Sequence, residues 1–236
     1  KALKKTVLEL GSNDAYLVLE DADIETAVKF SVIGRLYNNG ETCVSAKRFI
    51  VADKVYDAFV DAFVEQMKQI TLGDPTDEAT QLGPLSSQGQ FDTVKEQVEQ
   101  SIAKGAKLLC GGTAPDRTGA YYPATVLAEV TPGMPAYDDE IFGPVASVIR
   151  AKDDEDAMRL ANDSRYGLGG GIFTKDEDRA LKLARDYFDT GMIRINSFGA
   201  ADPNMPFGGV KNSGYGREHG GFGMKEFVNA KAIFLP

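Results

Sequence analysis

Histidine occurs once in the 236 residues and cysteine only twice, and that scarcity removes several functions at the outset. A zinc centre draws about four closely spaced Cys or His ligands. Cys43 and Cys110 stand 67 positions apart with no Cys-x-x-Cys and cannot supply them, so no metal is expected. The same count excludes a disulfide framework, and a reducing, cytoplasmic compartment is the expectation. Long apolar runs are missing too: none approaches the roughly 20 residues that span a bilayer, and the opening residues do not read as a signal peptide. Excess positive charge is absent, with 26 Lys and Arg against 35 Asp and Glu and a formal net charge of -9. Without a basic cluster to neutralise phosphates, neither nucleic acid nor an anionic membrane is expected as a partner. We also find no internal repeat, low-complexity tract or interdomain linker.

What is present is an ordinary globular composition, 43% hydrophobic and 26% charged, long enough for a sizeable core. Short β-prone runs alternate with amphipathic stretches. Thr6–Leu10, Tyr16–Leu19, Arg48–Ala52, Lys107–Cys110, Val145–Ile149, Gly170–Thr174 and Met192–Ile195 read as strands, and Tyr122–Val130 as extended. Asp23–Tyr37, with Asp23 as N-cap, then Val55–Ile70, Gln88–Lys104, Asp154–Asn162 and Asp176–Tyr187 carry helical spacing. The alternation predicts an α/β fold, a mostly parallel sheet flanked by helices. Asn196–Gly223 is glycine-rich and aperiodic, and Glu226–Leu235 returns to a β-prone run.

Cys43 follows the turn signal Asn38-Asn39-Gly40 and precedes small residues that could open a helix, whose dipole would favour a thiolate. That makes it a candidate nucleophile, although a lone cysteine also serves as a small buried hydrophobe. Glu9 closes the first strand-like run. Alone it would be a solvated carboxylate.

Four segments give these residues context: Leu8-Glu9-Leu10-Gly11; Asn39-Gly40-Glu41-Thr42-Cys43; Glu140-Ile141-Phe142-Gly143-Pro144-Val145; and Pro206-Phe207-Gly208-Gly209-Val210-Lys211 with Gly216-Arg217-Glu218. Their order and separation resemble the aldehyde dehydrogenase superfamily from about Thr6 to Phe234. The last segment resembles its semialdehyde-oxidising branch. The resemblance implies the family's catalytic-domain fold and NAD or NADP as cofactor. It implies oxidation of an aldehyde, succinate semialdehyde being the favoured substrate, through a thiohemiacetal and thioester on Cys43. Glu9 would be the general base that activates water against the thioester, and the Cys43 N–H an oxyanion donor. Glu140 would bind the nicotinamide ribose and Phe142 would pack beside the nicotinamide. Phe198 and Phe207 would line the aldehyde tunnel, and Glu218 would be a proton relay.

Departures accompany the match. Glu41 stands where the family commonly has Gln, and its charge is expected to raise the Cys43 pKa. Ser45 replaces the second cysteine of some relatives, so no disulfide switch is expected in that loop. His219 is outside the family's chemistry and is expected on the surface. No Gly-x-Gly-x-x-Gly follows a strand, and the lysine and asparagine that the family takes from its amino-terminal half have no candidates. Since the chain starts on Lys1, we expect residues 1–236 to be a catalytic domain whose amino-terminal cofactor-binding domain belongs to the parent chain. Homo-oligomerisation when intact is implied, with Val228–Phe234 as an edge for a neighbouring subunit. Two other readings stay open: a cysteine hydrolase pairing Cys43 with His219, and a scaffold module without catalysis.

Overall fold

The computed structural model describes residues 2–236. In chain order the elements are β1 (Leu8–Glu9), β2 (Ala15–Val18), α1 (Ile24–Leu36), β3 (Arg48–Ala52), α2 (Asp53–Lys68), α3 (Gln88–Ala103), β4 (Lys107–Cys110), β5 (Thr125–Ala128), α4 (Pro135–Asp138), β6 (Val145–Ala151), α5 (Asp154–Asn162), β7 (Tyr166–Gly167), β8 (Gly170–Phe173), α6 (Glu177–Asp186), β9 (Arg194–Ile195), β10 (Val210–Lys211), β11 (Gly214–Tyr215) and α7 (Gly220–Glu226). Seven strands form one sheet in the order β4-β5-β6-β3-β2-β8-β9. Every neighbouring pair in it is parallel except β4 with β5. The expected α/β architecture is therefore the observed one.

Strand residues alternate between two cores. Leu17, Ile50, Leu127, Ile149 and Ile172 face the layer of α3, α5 and α6. Their neighbours Tyr16, Val18, Phe49, Val51, Val148 and Phe173 face α1 and α2. Both faces are covered, which is why these strands read as continuous apolar runs rather than as alternating ones. The N-caps follow the sequence: Asp23, Ser87, Asp153 and Asp176 each accept a backbone N–H of their helix's first turn.

Three expectations fail. The run Thr6–Leu10 shrinks to the exposed pair Leu8–Glu9, because it meets only a two-residue partner, Gly214–Tyr215. No helix opens at Cys43; the residues after it turn and enter β3. The β-prone tail forms no strand: Glu226 ends α7, and Phe227 to Pro236 are exposed, with no strand paired to them among the described residues.

Candidate active site

Parallel α/β sheets usually bind ligands beyond the carboxyl ends of their strands. Here the chemistry-bearing residues gather in the loops that enter strands: Ser12–Asp14 before β2, Cys43–Lys47 before β3, Glu140–Phe142 before β6 and Gly169 before β8. What brings these loops together is close backbone approach.

Asn38 and Asn39 sit in the left-handed region, φ 50° and 57°, where asparagine is tolerated, and Gly40 follows at φ +76°. A Cβ on Gly40 would stand 2.3 Å from the Gly143 carbonyl oxygen, so only glycine lets the Cys43 loop press against the Glu140-Ile141-Phe142-Gly143 loop. Asn39 locks the turn further, accepting from Gly83 N–H and donating to the Pro84 carbonyl. On the other side, Gln90 and Gln97 of α3 donate to the carbonyls of Phe142 and Glu140 at 2.7 and 3.1 Å.

Glu9 reaches the same place from another direction. β1 pairs antiparallel with β11, Glu9 opposite Gly214. Leu10 N–H donates to the Ser213 carbonyl and Ser213 Oγ to the Gly11 carbonyl. Gly214, at φ +114°, lies so close to Leu8 that an added Cβ would fall 1.9 Å from its carbonyl oxygen. The aperiodic glycine-rich segment thus holds the strand that carries the carboxylate. The result is a contact between residues 34 positions apart: the Cys43 thiol donates to Glu9 Oε1 at 3.1 Å.

That contact and partial burial push the Cys43 pKa up to about 12, burial being the larger cause and the Glu9 hydrogen bond and charge the next; Lys47 acts in the opposite sense. This corrects the helix-dipole expectation, since there is no helix start to lower it. Glu41, expected to raise it, has turned away: its carboxylate accepts from Ser86 N–H and Oγ.

Under the Cys43 turn lies a buried polar cluster that the sequence did not announce. Lys47, 2% exposed in its side chain, donates to the carbonyls of Thr42 (3.2 Å), Cys43 (2.7 Å) and Ser45 (3.2 Å) and to Ser12 Oγ (2.8 Å), and lies 3.2 Å from Glu140 Oε1. Glu140 also accepts from Ser12 N–H at 3.1 Å and Ser12 Oγ at 3.3 Å, and Ser12 Oγ donates to the Cys43 carbonyl. Arg35, fully buried, donates to the Gly40 carbonyl and Ser45 Oγ. Asp14 accepts from Gly169 N–H, and burial raises its pKa to about 6 against the pull of Lys47. The only hint of this cluster in the chain is the pairing of Lys47 and Arg48 at the entry to a strand. Arg48 is structural: it donates to the carbonyls of Leu160 and Ala161 at the end of α5.

The remaining candidates separate. Phe207 packs in a small cluster with Cys43, Val44, Leu168, Met192 and Ala200. Phe198 instead lies in the core against α1, its ring 5.7 Å from that of Tyr37 and 6.3 Å from that of Tyr16. Glu218 exchanges backbone hydrogen bonds with Phe207, while its side chain lines an open groove of about 740 Å³ with His219, Met224 and Phe227. His219 is exposed with its ring 5.6 Å from that of Phe207, and the Cys43 thiol is hydrogen-bonded to Glu9, not to it. Among the described residues no group of three His, Cys, Asp or Glu is placed to hold a metal, and no helix is long and apolar enough to cross a membrane.

The thiol, its carboxylate partner and a second anchored carboxylate thus meet at one end of this sheet. Residues 1–233 match the aldehyde dehydrogenase family, and the chain belongs to it. It is 46% identical over 233 residues to succinate-semialdehyde dehydrogenase (NADP(+)) 1 of Mycobacterium ulcerans, covering 99% of this chain and 51% of that protein. It is 48% identical over 233 residues to the succinate semialdehyde dehydrogenase (NAD(P)+) of Escherichia coli K12, covering 99% and 50%. The structure of succinic semialdehyde dehydrogenase from Streptococcus pyogenes with NADP+ superposes with TM-score 0.95 at 44% identity, over 99% of this chain and 51% of that one. Betaine aldehyde dehydrogenase from Staphylococcus aureus with NAD+ gives 0.90 at 34%, over 94% and 44%. The chain therefore spans about half the length of the relatives it matches.

Proposed function

We propose that this chain is the catalytic domain of an NAD(P)-dependent aldehyde dehydrogenase that oxidises succinate semialdehyde to succinate, working with a cofactor-binding half in the parent protein. The observation that carries the reading is the Cys43–Glu9 hydrogen bond of 3.1 Å. Glu9 has no other side-chain partner among the described residues. It can therefore take the thiol proton, leaving sulfur free to add to the aldehyde carbon, pass that proton to solvent, and then, ionised again, activate the water that cleaves the thioester. The thiohemiacetal becomes that thioester once its hydride has gone. Cys43 N–H donates to no acceptor among the described residues and is free for the oxyanion.

The residues present fit half of a dinucleotide site. Glu140 offers a partly exposed carboxylate, an acceptor for ribose hydroxyls, fixed in place by Lys47 and Ser12, with Phe142 two residues on. A bound nicotinamide supplies the hydride acceptor. Phe207, beside Cys43, is the aromatic that fits the aldehyde's path; the placement of Phe198 favours core packing. We assign Glu218 a proton-relay role at longer range, and the parent enzyme to a homo-oligomer.

An activated ester tests the chemistry without cofactor, because it acylates a nucleophilic thiol directly to the same kind of thioester. The chain is expected to hydrolyse p-nitrophenyl acetate, Cys43→Ala to be inert, and Glu9→Gln to release one equivalent of nitrophenol and stall as the acyl-enzyme. Unchanged hydrolysis by Cys43→Ala would overturn the assignment.

A further inference from the structure

We propose that Lys47 is the positioning residue of the Cys43 turn and transmits the state of Glu140 to the nucleophile. The inference rests on Cys43 being the nucleophile, and it begins with acceptors. An ammonium has three protons, and Lys47 Nζ has four oxygen acceptors and the Glu140 carboxylate within 3.2 Å, all gathered on one buried side chain. Three of those acceptors are backbone carbonyls of the turn itself, Thr42, Cys43 and Ser45. Arg35 adds a fourth from the same side, the Gly40 carbonyl.

Pulling carbonyls inward has a geometric consequence. The carbonyl of one residue and the N–H of the next share one planar peptide unit and point oppositely, so the Thr42 and Cys43 carbonyls, turned onto the ammonium, aim the N–H groups of Cys43 and Val44 away from it. Those two N–H groups have no acceptor among the described residues, whereas the N–H groups in plane with the Gly40 and Ser45 carbonyls, those of Glu41 and Ala46, donate to the carbonyls of Asn38 and Gly34. Removing the ammonium would leave the Thr42 carbonyl with only Ser45 as partner and the Cys43 carbonyl with only Ser12. The turn's peptide planes would then be held by fewer bonds, and the Ser45 carbonyl would lose its ammonium donor.

The second half of the inference concerns charge. Lys47 divides its field between the Cys43 loop and Glu140, whose carboxylate is partly exposed at the surface where a ribose would lie. A ligand that draws Glu140 away from the ammonium leaves more of the positive field to act on the sulfur, and one that holds the pair together leaves less. Asp14, Arg35 and Glu140 are the other charged groups acting on Lys47, and Glu9 and Asp14 the others acting on Cys43. Lys47 is the cation acting on both sites.

The test is the pH dependence of iodoacetamide labelling at Cys43, read by mass spectrometry with Cys110 as internal standard and circular dichroism as the check on folding. Lys47→Met keeps an unbranched stem, one atom shorter, and removes the charge. It is expected to move the Cys43 labelling profile to higher pH by about one unit, roughly tenfold slower at a fixed pH below it, with Cys110 unaffected. Glu140→Gln is expected to accelerate Cys43 labelling in the otherwise native chain and to have no effect in the Lys47→Met background. A folded Lys47→Met with an unaltered Cys43 profile, or equal effects of Glu140→Gln in both backgrounds, overturns the proposal. Should Lys47→Met fail to fold, an unchanged profile in Glu140→Gln alone overturns it and acceleration upholds it. Ester hydrolysis reads whether Cys43 is the nucleophile, and labelling reads whether Lys47 governs it, so the two ideas fail separately.

Discussion

Glu9 Oε1 and Cys43 Sγ face one another at 3.1 Å, with the thiol proton between them, across 34 residues of chain that include a helix of 13. The pair stores the sulfur as a thiol at neutral pH, because a proton shared with a neighbouring carboxylate is harder to remove and the site is half-buried.

Replacing the carboxylate should therefore have opposite effects on two readouts. Glu9→Gln removes the adjacent negative charge and leaves only a neutral, weaker acceptor for the thiol, so the Cys43 labelling profile is expected to fall to lower pH than the native value of about 12. Thioester hydrolysis in the same variant is expected to stall for want of a base. Faster alkylation together with slower ester turnover is the combination to measure.

Gly214→Ala tests how the carboxylate is carried. The new Cβ would stand 1.9 Å from the Leu8 carbonyl oxygen at a φ of +114°. The β1–β11 pair must open or shift, at a cost of about 1–3 kcal/mol. Denaturant unfolding should record the loss. Ester hydrolysis should show acylation of Cys43 surviving and deacylation reduced, because the strand that moves bears Glu9 and not the sulfur.

Asp14 makes a prediction about pH and stability. Its pKa rises from 3.8 to about 6 on folding, so between those values the folded state binds more protons than the unfolded one. Its contribution is full below pH 3.8 and is lost as pH climbs to about 6, a decline worth about 3 kcal/mol. Asp14→Asn keeps an oxygen for Gly169 N–H and has no proton to lose. The unfolding free energy of the variant, relative to the native chain, is expected to rise by about 2 kcal/mol from pH 4 to pH 6.5. A constant difference over that range would contradict the burial argument.

The purified 236-residue chain is expected to give no sustained NAD- or NADP-dependent turnover of succinate semialdehyde, measured by nicotinamide absorbance, while retaining ester hydrolysis. In the proposed reading Glu140 and Phe142 supply only one part of the dinucleotide site, and the relatives are about twice as long. Robust turnover by the chain alone would overturn the division of labour we propose.

Several elements were readable from local pattern. Arg48–Ala52, Lys107–Cys110 and Asp154–Asn162 occur with the boundaries their residues suggest, and Asp23 caps α1 as its spacing implies. Helix α7 was not readable: Gly220, Gly221 and Gly223 depress helix propensity, and the segment takes shape only where Gly223 packs against the backbone of Glu218. Nor was the loss of the terminal strand, because a β-prone run becomes a strand only when an edge lies beside it. Lys47, Ser12 and Asp14 escaped for a related reason. Their roles consist of contacts with residues up to 155 positions away, and no periodicity encodes those.

The order of residues alone determined the alternation of strand and helix, since hydrophobic period is a property of neighbours, and it determined which reactive groups were available: one thiol after an Asn-Asn-Gly turn and one carboxylate at a strand end. Packing in three dimensions decided the rest. It brought Glu9 against Cys43, drove the thiol pKa up where a helix start would have driven it down, and turned the carbonyls of the Cys43 loop onto a buried lysine. Those outcomes depend on which groups are excluded from water together, and that is settled by the approach of distant backbones at Gly40 and Gly214, not by any stretch of sequence read on its own.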